Sequence, residues 1–385
     1  MISPDYQGGS IVNLMASVIR SRGGESEYPS LRLLPPEEIA KHTNVALLVV
    51  DGLGFEYLTQ RLPRGTLGRS LRGSITSVFP PTTAAAITSF LTGDAPQQHG
   101  LTGWHTYLRE LGCVMTVLPG NPRYGGVGYR KAKLDPVKLF GHLPLSARIR
   151  TRSIVVSPAH IAHSDFNLAH LGSAELRTFE TLPEMFRRAV QAVRSDSRLK
   201  YLYLYWPKLD SIGHEKGMGS ETALAHLREI ELALTDFLVG LARTDTLLLV
   251  TADHGQIDTV EADRIDLADH PDLARCLALP LCGEPRAAFC YVRPGRVEQF
   301  ERYCREVLGD KLDLVPSEDL IARGLFGLGD SHPRLEERIG DYTLLMRNNY
   351  VIRDWLPGEK HYTQIGVHGG LSATELEVPL CVFHA

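Results

Sequence analysis

No C-x-x-C pair occurs in the 385 residues, and no apolar run reaches the length of a membrane-spanning helix. Without two thiols held side by side there is no zinc knuckle and no dithiol redox motif. The six cysteines, Cys113, Cys276, Cys282, Cys290, Cys304 and Cys381, lie far apart and are expected to be reduced and mostly structural. A spanning helix needs about 20 consecutive apolar residues, so no membrane partner is expected. The N-terminal stretch MISPDYQGGSIVNLMASVIRSRGG has no basic start followed by a continuous apolar run and a small-residue cleavage site, and a cytoplasmic location is expected. A strong charge of one sign is also missing. The net charge of −4 and the isoelectric point near 6.4 give no reason to expect a nucleic-acid partner. No fixed-period repeat or low-complexity tract is present.

What is there is an ordinary globular composition, 43% hydrophobic and 22% charged, with ample material for a core. The length fits two domains, or one large α/β domain carrying an insertion. Charge is uneven in one place: between Arg109 and Arg152 nine Lys or Arg residues face only Glu110 and Asp135. A solvated basic face is one reading; a surface that attracts an anionic substrate is the other.

Three segments, NVALLVVDG (44–52), LKYLYLYWPKLD (199–210) and DTLLLVTADHG (245–255), are short, aliphatic and bounded by turn residues, as strands buried on both faces are. SIVVSP (153–158) is a shorter fourth. Helical patterns at 180–196 and 220–243 lie between them, so strand and helix alternate and a mainly parallel sheet covered on both faces is expected. Ligands of such sheets bind beyond the carboxyl ends of the strands. From 266 to 360 the texture changes to shorter units. The expected division is a catalytic core at 1–265 and 361–385 with an inserted α+β cap at 266–360.

Each of the three buried strands ends in groups able to bind a metal. Asp51 closes the first; Asp210 closes the second, with His214 four residues on; Asp253 and His254 follow the third. QIGVHGGLS adds His368 among glycines. Singly, each has a structural reading as a turn, an i,i+4 pair or a helix cap. Together, six carboxylates and imidazoles at one sheet edge would repel or stay unsatisfied unless a cation joined them. Nitrogen and oxygen ligands suit Zn2+, with Mn2+ the second candidate. Six are too many for one zinc, so two metals are expected, placed to clamp the attacking and leaving oxygens of an in-line displacement.

The pieces LLVVDGLG, SVFPPTTAAAITSFLTGDAPQQHGLTGW, YWPKLDSIGHEKG, LLLVTADHGQID and VHGGLS resemble, in order, the type I phosphodiesterase/nucleotide pyrophosphatase family of the alkaline phosphatase superfamily. The resemblance implies the superfamily's three-layer α/β/α sandwich. It implies one zinc on Asp210, His214 and His368 and another on Asp51, Asp253 and His254, with the nucleophilic hydroxyl also on the second. The family's nucleophile lies ten residues before the glycine of the T-G pair, here Gly93, which selects Thr83; Thr82 takes the preceding place. Prolines and threonines at FPPTT also fit a helix start.

One position departs from the family pattern. Many nucleotide pyrophosphatases carry an asparagine 21 residues after the nucleophile, on a phosphate oxygen; this chain has Trp104 there. His105, Tyr107 or a basic residue of 109–152 could supply the missing donor, and Trp104 could stack on a planar leaving group or simply pack. The expected protein is a two-metal hydrolase of phosphodiester or pyrophosphate bonds acting through a phosphothreonine intermediate, on a small phosphoester with nucleotides among the candidates. The alternatives are a phosphomonoesterase or phosphonate hydrolase on the same core and, in another class, a metal-containing binding protein without turnover. A sulfatase is disfavoured because no C/S-x-P-x-R segment is present.

Overall fold

The run Asn44–Val50 carries no charge and is buried along its whole length, which requires protein on both faces. In the computed structural model, which describes residues 1–385, it forms the middle of a seven-stranded sheet. The spatial order is Leu71–Thr76, Glu377–His384, Thr246–Thr251, Asn44–Val50, Lys200–Trp206, Arg152–Pro158 and Glu175–Phe179. The last five of these strands run parallel. Glu377–His384 is antiparallel to both neighbours. All four strands expected from composition are present in this sheet.

The connections are helices, as a parallel sheet demands. Leu182–Val193 starts at Thr181, whose side chain accepts from Glu184 N, and it buries the stripe Leu182, Met185, Phe186, Ala189, Ala192 and Val193. Glu221–Leu241 is capped by Ser220. The two helices meet through Phe186 and Phe237, stacked with centroids 4.5 Å apart. Residues of these helices, of Ile11–Ser21 and Thr83–Thr92, and of the sheet belong to one continuous apolar core. The fold is α/β with a mainly parallel central sheet.

A second sheet is antiparallel throughout, in the order Leu312–Pro316, Tyr342–Met346, Ala287–Cys290, Cys282–Glu284, His105–Leu108, Cys113–Thr116 and Asn121–Pro122. Strands from 282–346 thus pair with strands from 105–122, which lie outside the expected insertion at 266–360. The seam is the pairing of Gly283 with His105. A side chain at Gly103 would come within 2.6 Å of the Gly283 Cα, so the two backbones approach to a distance only glycine allows. That approach sets Trp104 and Glu284 side by side.

No helix is long and apolar enough to cross a membrane. All six cysteines are unpaired.

Candidate metal centre and its cavity

Sheet geometry delivers the acidic and imidazole groups to one edge. Asp51 follows its strand directly, and Gly52 turns the chain with φ of 76°. A Cβ at Gly52 would sit 3.0 Å from the Asp210 Cα, so this turn brings Asp51 against Asp210. Asp210 occupies the first turn of helix Lys208–Lys216, and His214 lies one turn on, on the same face. Asp253 and His254 follow the strand Thr246–Thr251. His368 arrives from far along the chain because Gly366–Val367 pairs with Ile257–Asp258. Thr83 is the first residue of helix Thr83–Thr92.

These residues converge. His254 Nε2 is 3.2 Å from the Thr83 hydroxyl, 3.4 Å from Asp51 Oδ1 and 3.4 Å from Asp253 Oδ2. His214 Nε2 is 3.3 Å from Asp210 Oδ2, and His368 Nε2 is 3.9 Å from Asp210 Oδ1. The His254 and His368 rings stack at 3.7 Å, which joins the two groups into one centre. Two clusters have the reach for a cation: Asp51, Asp253 and His254, and Asp210, His254 and His368. His254 therefore lies close enough to serve either, a sharing that the spacing of the motifs did not reveal.

The hydrogen-bond pattern fits a cation. His214 Nδ1 pairs with Gly366 O at 2.7 Å, His254 Nδ1 with Gly255 O at 3.1 Å, and His368 Nδ1 with Pro81 O at 3.1 Å. A carbonyl can only accept, so each Nδ1 carries a proton and each Nε2 is the ring nitrogen left facing the carboxylates, the one available to a cation. Asp51 Oδ1 and Asp253 Oδ2 are buried with no hydrogen-bond partner. Burial, with the charges of Asp253 and Asp210, pushes the Asp51 carboxyl well above its usual value. Burial pushes His368 well below its own, helped by His254 and His214. Three carboxylates and three imidazoles gathered at one sheet edge, with two buried oxygens left over, are a donor set that fits a pair of divalent cations.

Three neighbours were not legible from motifs. Tyr205 donates its hydroxyl to Asp51 Oδ2. Gln256 holds the Asp210 carboxylate and its backbone carbonyl. Buried Glu284 accepts from the Thr82 hydroxyl at 2.6 Å and from Trp104 N at 2.7 Å; desolvation carries it up to about 7. Thr82 is the N-cap residue by position, yet its side chain makes no capping bond.

Two clefts meet here. One, of about 560 Å³, is lined by Thr83, Asp210, His214 and His368 together with charged residues of the second sheet and of 353–360. The other, of about 480 Å³, runs from Asp51 and Thr83 past Ile87, Leu118, Ile161, Phe166 and Leu176 and is largely apolar. Thr83, Trp104 and Asp210 line both. His105 lines the first cleft, and burial beside Arg123 lowers it to about 3. Tyr107 does not line either cleft; it packs edge-on against Tyr291 at 5.3 Å inside the second sheet.

The basic segment also resolves into particulars. Arg109 pairs with Glu337, Arg130 with Asp165, Arg148 with Asp94, and Arg152 with Glu175 and Asp196. Of its nine basic residues only Arg123 lines the first cleft, and it is held there by Asp354 at 2.8 Å and Glu359 at 2.9 Å.

Residues 45–371 match the family described as type I phosphodiesterase/nucleotide pyrophosphatase. Comparison with curated proteins gives no match. Among solved structures, the chain is similar to human ectonucleotide pyrophosphatase/phosphodiesterase 5 (TM-score 0.66, 15% identity, covering 88% of this chain and 87% of that one). It is similar to the inactive murine counterpart in complex with AMP (TM-score 0.64, 16% identity, 87% of each chain). It is also similar to phosphonoacetate hydrolase from Sinorhizobium meliloti 1021 in complex with phosphonoacetate (TM-score 0.59, 19% identity, 88% of this chain and 89% of that one). At these identities the likeness to the solved structures speaks for the fold.

Proposed function

Because the chain belongs to the type I phosphodiesterase/nucleotide pyrophosphatase family, and so is a phosphoric ester hydrolase, we propose that it cleaves phosphodiester or pyrophosphate bonds with Thr83 as nucleophile. The observation that carries this reading is the Thr83 hydroxyl at 3.2 Å from His254 Nε2, beside two buried carboxylate oxygens that lack partners. Asp51, Asp253, His254 and Thr83 would hold one Zn2+ and Asp210, His214 and His368 the other, with Mn2+ the second candidate. When bound, such cations stabilise an alkoxide and neutralise charge on the phosphoryl and leaving oxygens.

The chain's own residues supply the rest. Helix Thr83–Thr92 begins at the nucleophile, so its free N–H groups face the phosphoryl oxygens. Thr83 Oγ1 attacks phosphorus, the bond to the leaving oxygen breaks, and a phosphothreonine forms; water then cleaves it and restores the hydroxyl. Tyr205 and Gln256 hold Asp51 and Asp210 in orientation. Trp104, at the junction of the two clefts, offers a flat apolar face to one substituent of the phosphorus, and His105 lines the other side. A nucleotide is among the candidate substrates, since the murine structure of this fold holds AMP. A cytoplasmic setting belongs to the same reading, supported by six unpaired cysteines, five of them buried.

The test is turnover of bis(4-nitrophenyl) phosphate by wild type and Thr83→Ala, with acid-quenched protein examined by mass spectrometry for a phosphoryl group on Thr83. Normal turnover by Thr83→Ala would overturn the proposal. A phosphonate hydrolase is the second reading, favoured by the phosphonoacetate-bound structure of the same fold. Rates on mono-, di- and phosphonate esters of one leaving group separate the readings.

A further inference from the structure

The first cleft contains one partly buried charge that the protein leaves unanswered. Of the charged groups of the second sheet and the 353–360 segment that line it, Arg123 is neutralised by Asp354 and Glu359, and its guanidinium also donates to the carbonyls of Leu281 and Asp354. Glu284 is satisfied by Thr82 and Trp104. Lys360 is exposed, so water solvates its charge. Arg353 differs from all of these. It lines the cleft, forms no ion pair, and donates only to Tyr362 O at 3.4 Å and to Gln364 Oε1, while its Nε–H is buried without an acceptor. The Tyr362 ring lies 5.4 Å from the guanidinium carbon and braces it. Burial lowers its pKa from the usual arginine value.

Arg353 is half-buried, with its Nε–H wholly shielded from water. Holding a guanidinium partly out of water without a counter-charge is costly, and a fold that does so in the cavity of its reactive centre leaves a place for a charge that arrives with a ligand. We infer that Arg353 binds a second anionic group of the substrate, a phosphate or carboxylate carried on the portion that enters the first cleft. This rests on the reading of the centre as a phosphoester hydrolase and sharpens it. Substrates with a charged leaving portion, such as pyrophosphate esters or phosphonocarboxylates, are favoured over simple diesters with neutral substituents. Arginine suits the role because its planar fork can take a planar carboxylate or a phosphate face with two N–H donors. Neighbouring Asp354 and Glu359 do not compete, since the two N–H edges of Arg123 already engage them.

The test uses the metal-loaded, full-length protein and titration calorimetry with three non-hydrolysed or slowly hydrolysed probes. Methylphosphonate carries one anionic group, methylenediphosphonate adds a phosphonate, and phosphonoacetate adds a carboxylate. Wild type is expected to bind at least one of the two-group probes more tightly than methylphosphonate. Arg353→Gln should remove about 10- to 100-fold of that preference while leaving methylphosphonate affinity unchanged, as the loss of a charge-assisted hydrogen bond predicts. Arg353→Lys should restore part of it. Whichever two-group probe loses more identifies the anion as phosphate or carboxylate. A preference that survives Arg353→Gln, an equal loss of methylphosphonate binding in both variants, or no preference in wild type would each overturn the inference. An inactive wild type that still shows the Arg353-dependent preference would reject the hydrolase reading alone; an active one without it would reject the subsite alone.

Discussion

Thr82 donates its hydroxyl to Glu284 at 2.6 Å, across 202 residues of chain, and its side chain makes no bond to the helix it precedes. Its neighbour Thr83 faces the other way, toward His254. Two adjacent threonines therefore have separate partners, Glu284 for one and His254 for the other, and the proposed chemistry falls on the second. Thr83→Ala is expected to lose turnover by at least about a thousandfold, as removal of a covalent nucleophile does. Thr82→Ala should keep most turnover and instead lose about 1–3 kcal/mol of stability, because buried Glu284 forfeits a donor. Steady-state kinetics and urea unfolding of both proteins check this, and an equal collapse of activity would assign the nucleophile wrongly.

Glu284 gathers the Thr82 hydroxyl and the Trp104 N–H on one oxygen, so the carboxylate positions Trp104 at the mouth of both clefts. Glu284→Gln retains a carbonyl oxygen for both donors and should keep KM within about threefold of wild type. Glu284→Ala strands both donors in a buried place and should raise KM by about tenfold or more, with a drop in Trp fluorescence order at that site. Indistinguishable kinetics for the two variants would remove the positioning role.

Asp253 is fully buried, and its Oδ2 has no protein partner, so its free energy depends on what binds there. Elemental analysis of Asp253→Asn should find about one metal per chain lost relative to wild type, since a neutral amide is a poor substitute for a carboxylate ligand. Chelation of wild type should lower its unfolding free energy by about 2.7 kcal/mol or more when the free metal had stood at 100 times its dissociation constant. Unfolding that is indifferent to chelator would mean that the centre holds no cation.

Away from the metal centre, His99 and His170 are buried and their pKa values are lowered, His170 to about 4. His170 Nδ1 donates to Phe166 O, and its Nε2 accepts from His142 at 2.6 Å; a proton added there would set N–H against N–H. Unfolding exposes both rings at ordinary values near 6.5, so the unfolded chain binds more protons and stability falls as pH drops through 6.5. The loss continues toward the folded-state values and is about 1.4 kcal/mol per pH unit for each ring. Unfolding free energies from urea titrations at pH 7 and 5 should differ by roughly 2 kcal/mol on account of His170, with His99 adding to the loss, and His170→Gln should remove the His170 share. Flat stability over that range would refute the assignment.

The parts of the centre that sequence made legible are those written in local pattern. A buried aliphatic run followed by Asp, as at Val50 to Asp51 or Thr251 to Asp253, announces a strand and the carboxylate at its carboxyl end. The offset between Thr83 and Gly93 likewise lies within one helix and its cap. Glu284, Tyr205 and Gln256 escaped because each acts through a partner distant in sequence. The second sheet is hidden for a related reason: its strands are two to five residues long, too short for periodicity, and Gly283 meets His105 only through the close approach that glycine permits. Counting charge along 109–152 could not show the partners for the same reason, because the acids that answer Arg109, Arg130 and Arg148 come from Glu337, Asp165 and Asp94.

The unlike walls on either side of Thr83, one apolar and one charged, give the centre a direction. An in-line displacement requires the departing oxygen to stand opposite the attacking hydroxyl. On the proposed reaction, an unsymmetrical diester would lay its apolar substituent on one side and its charged substituent on the other, so a single orientation would be presented to Thr83. Which of two ester bonds breaks would then be chosen by the character of the walls, even where the intrinsic leaving abilities favour the other bond.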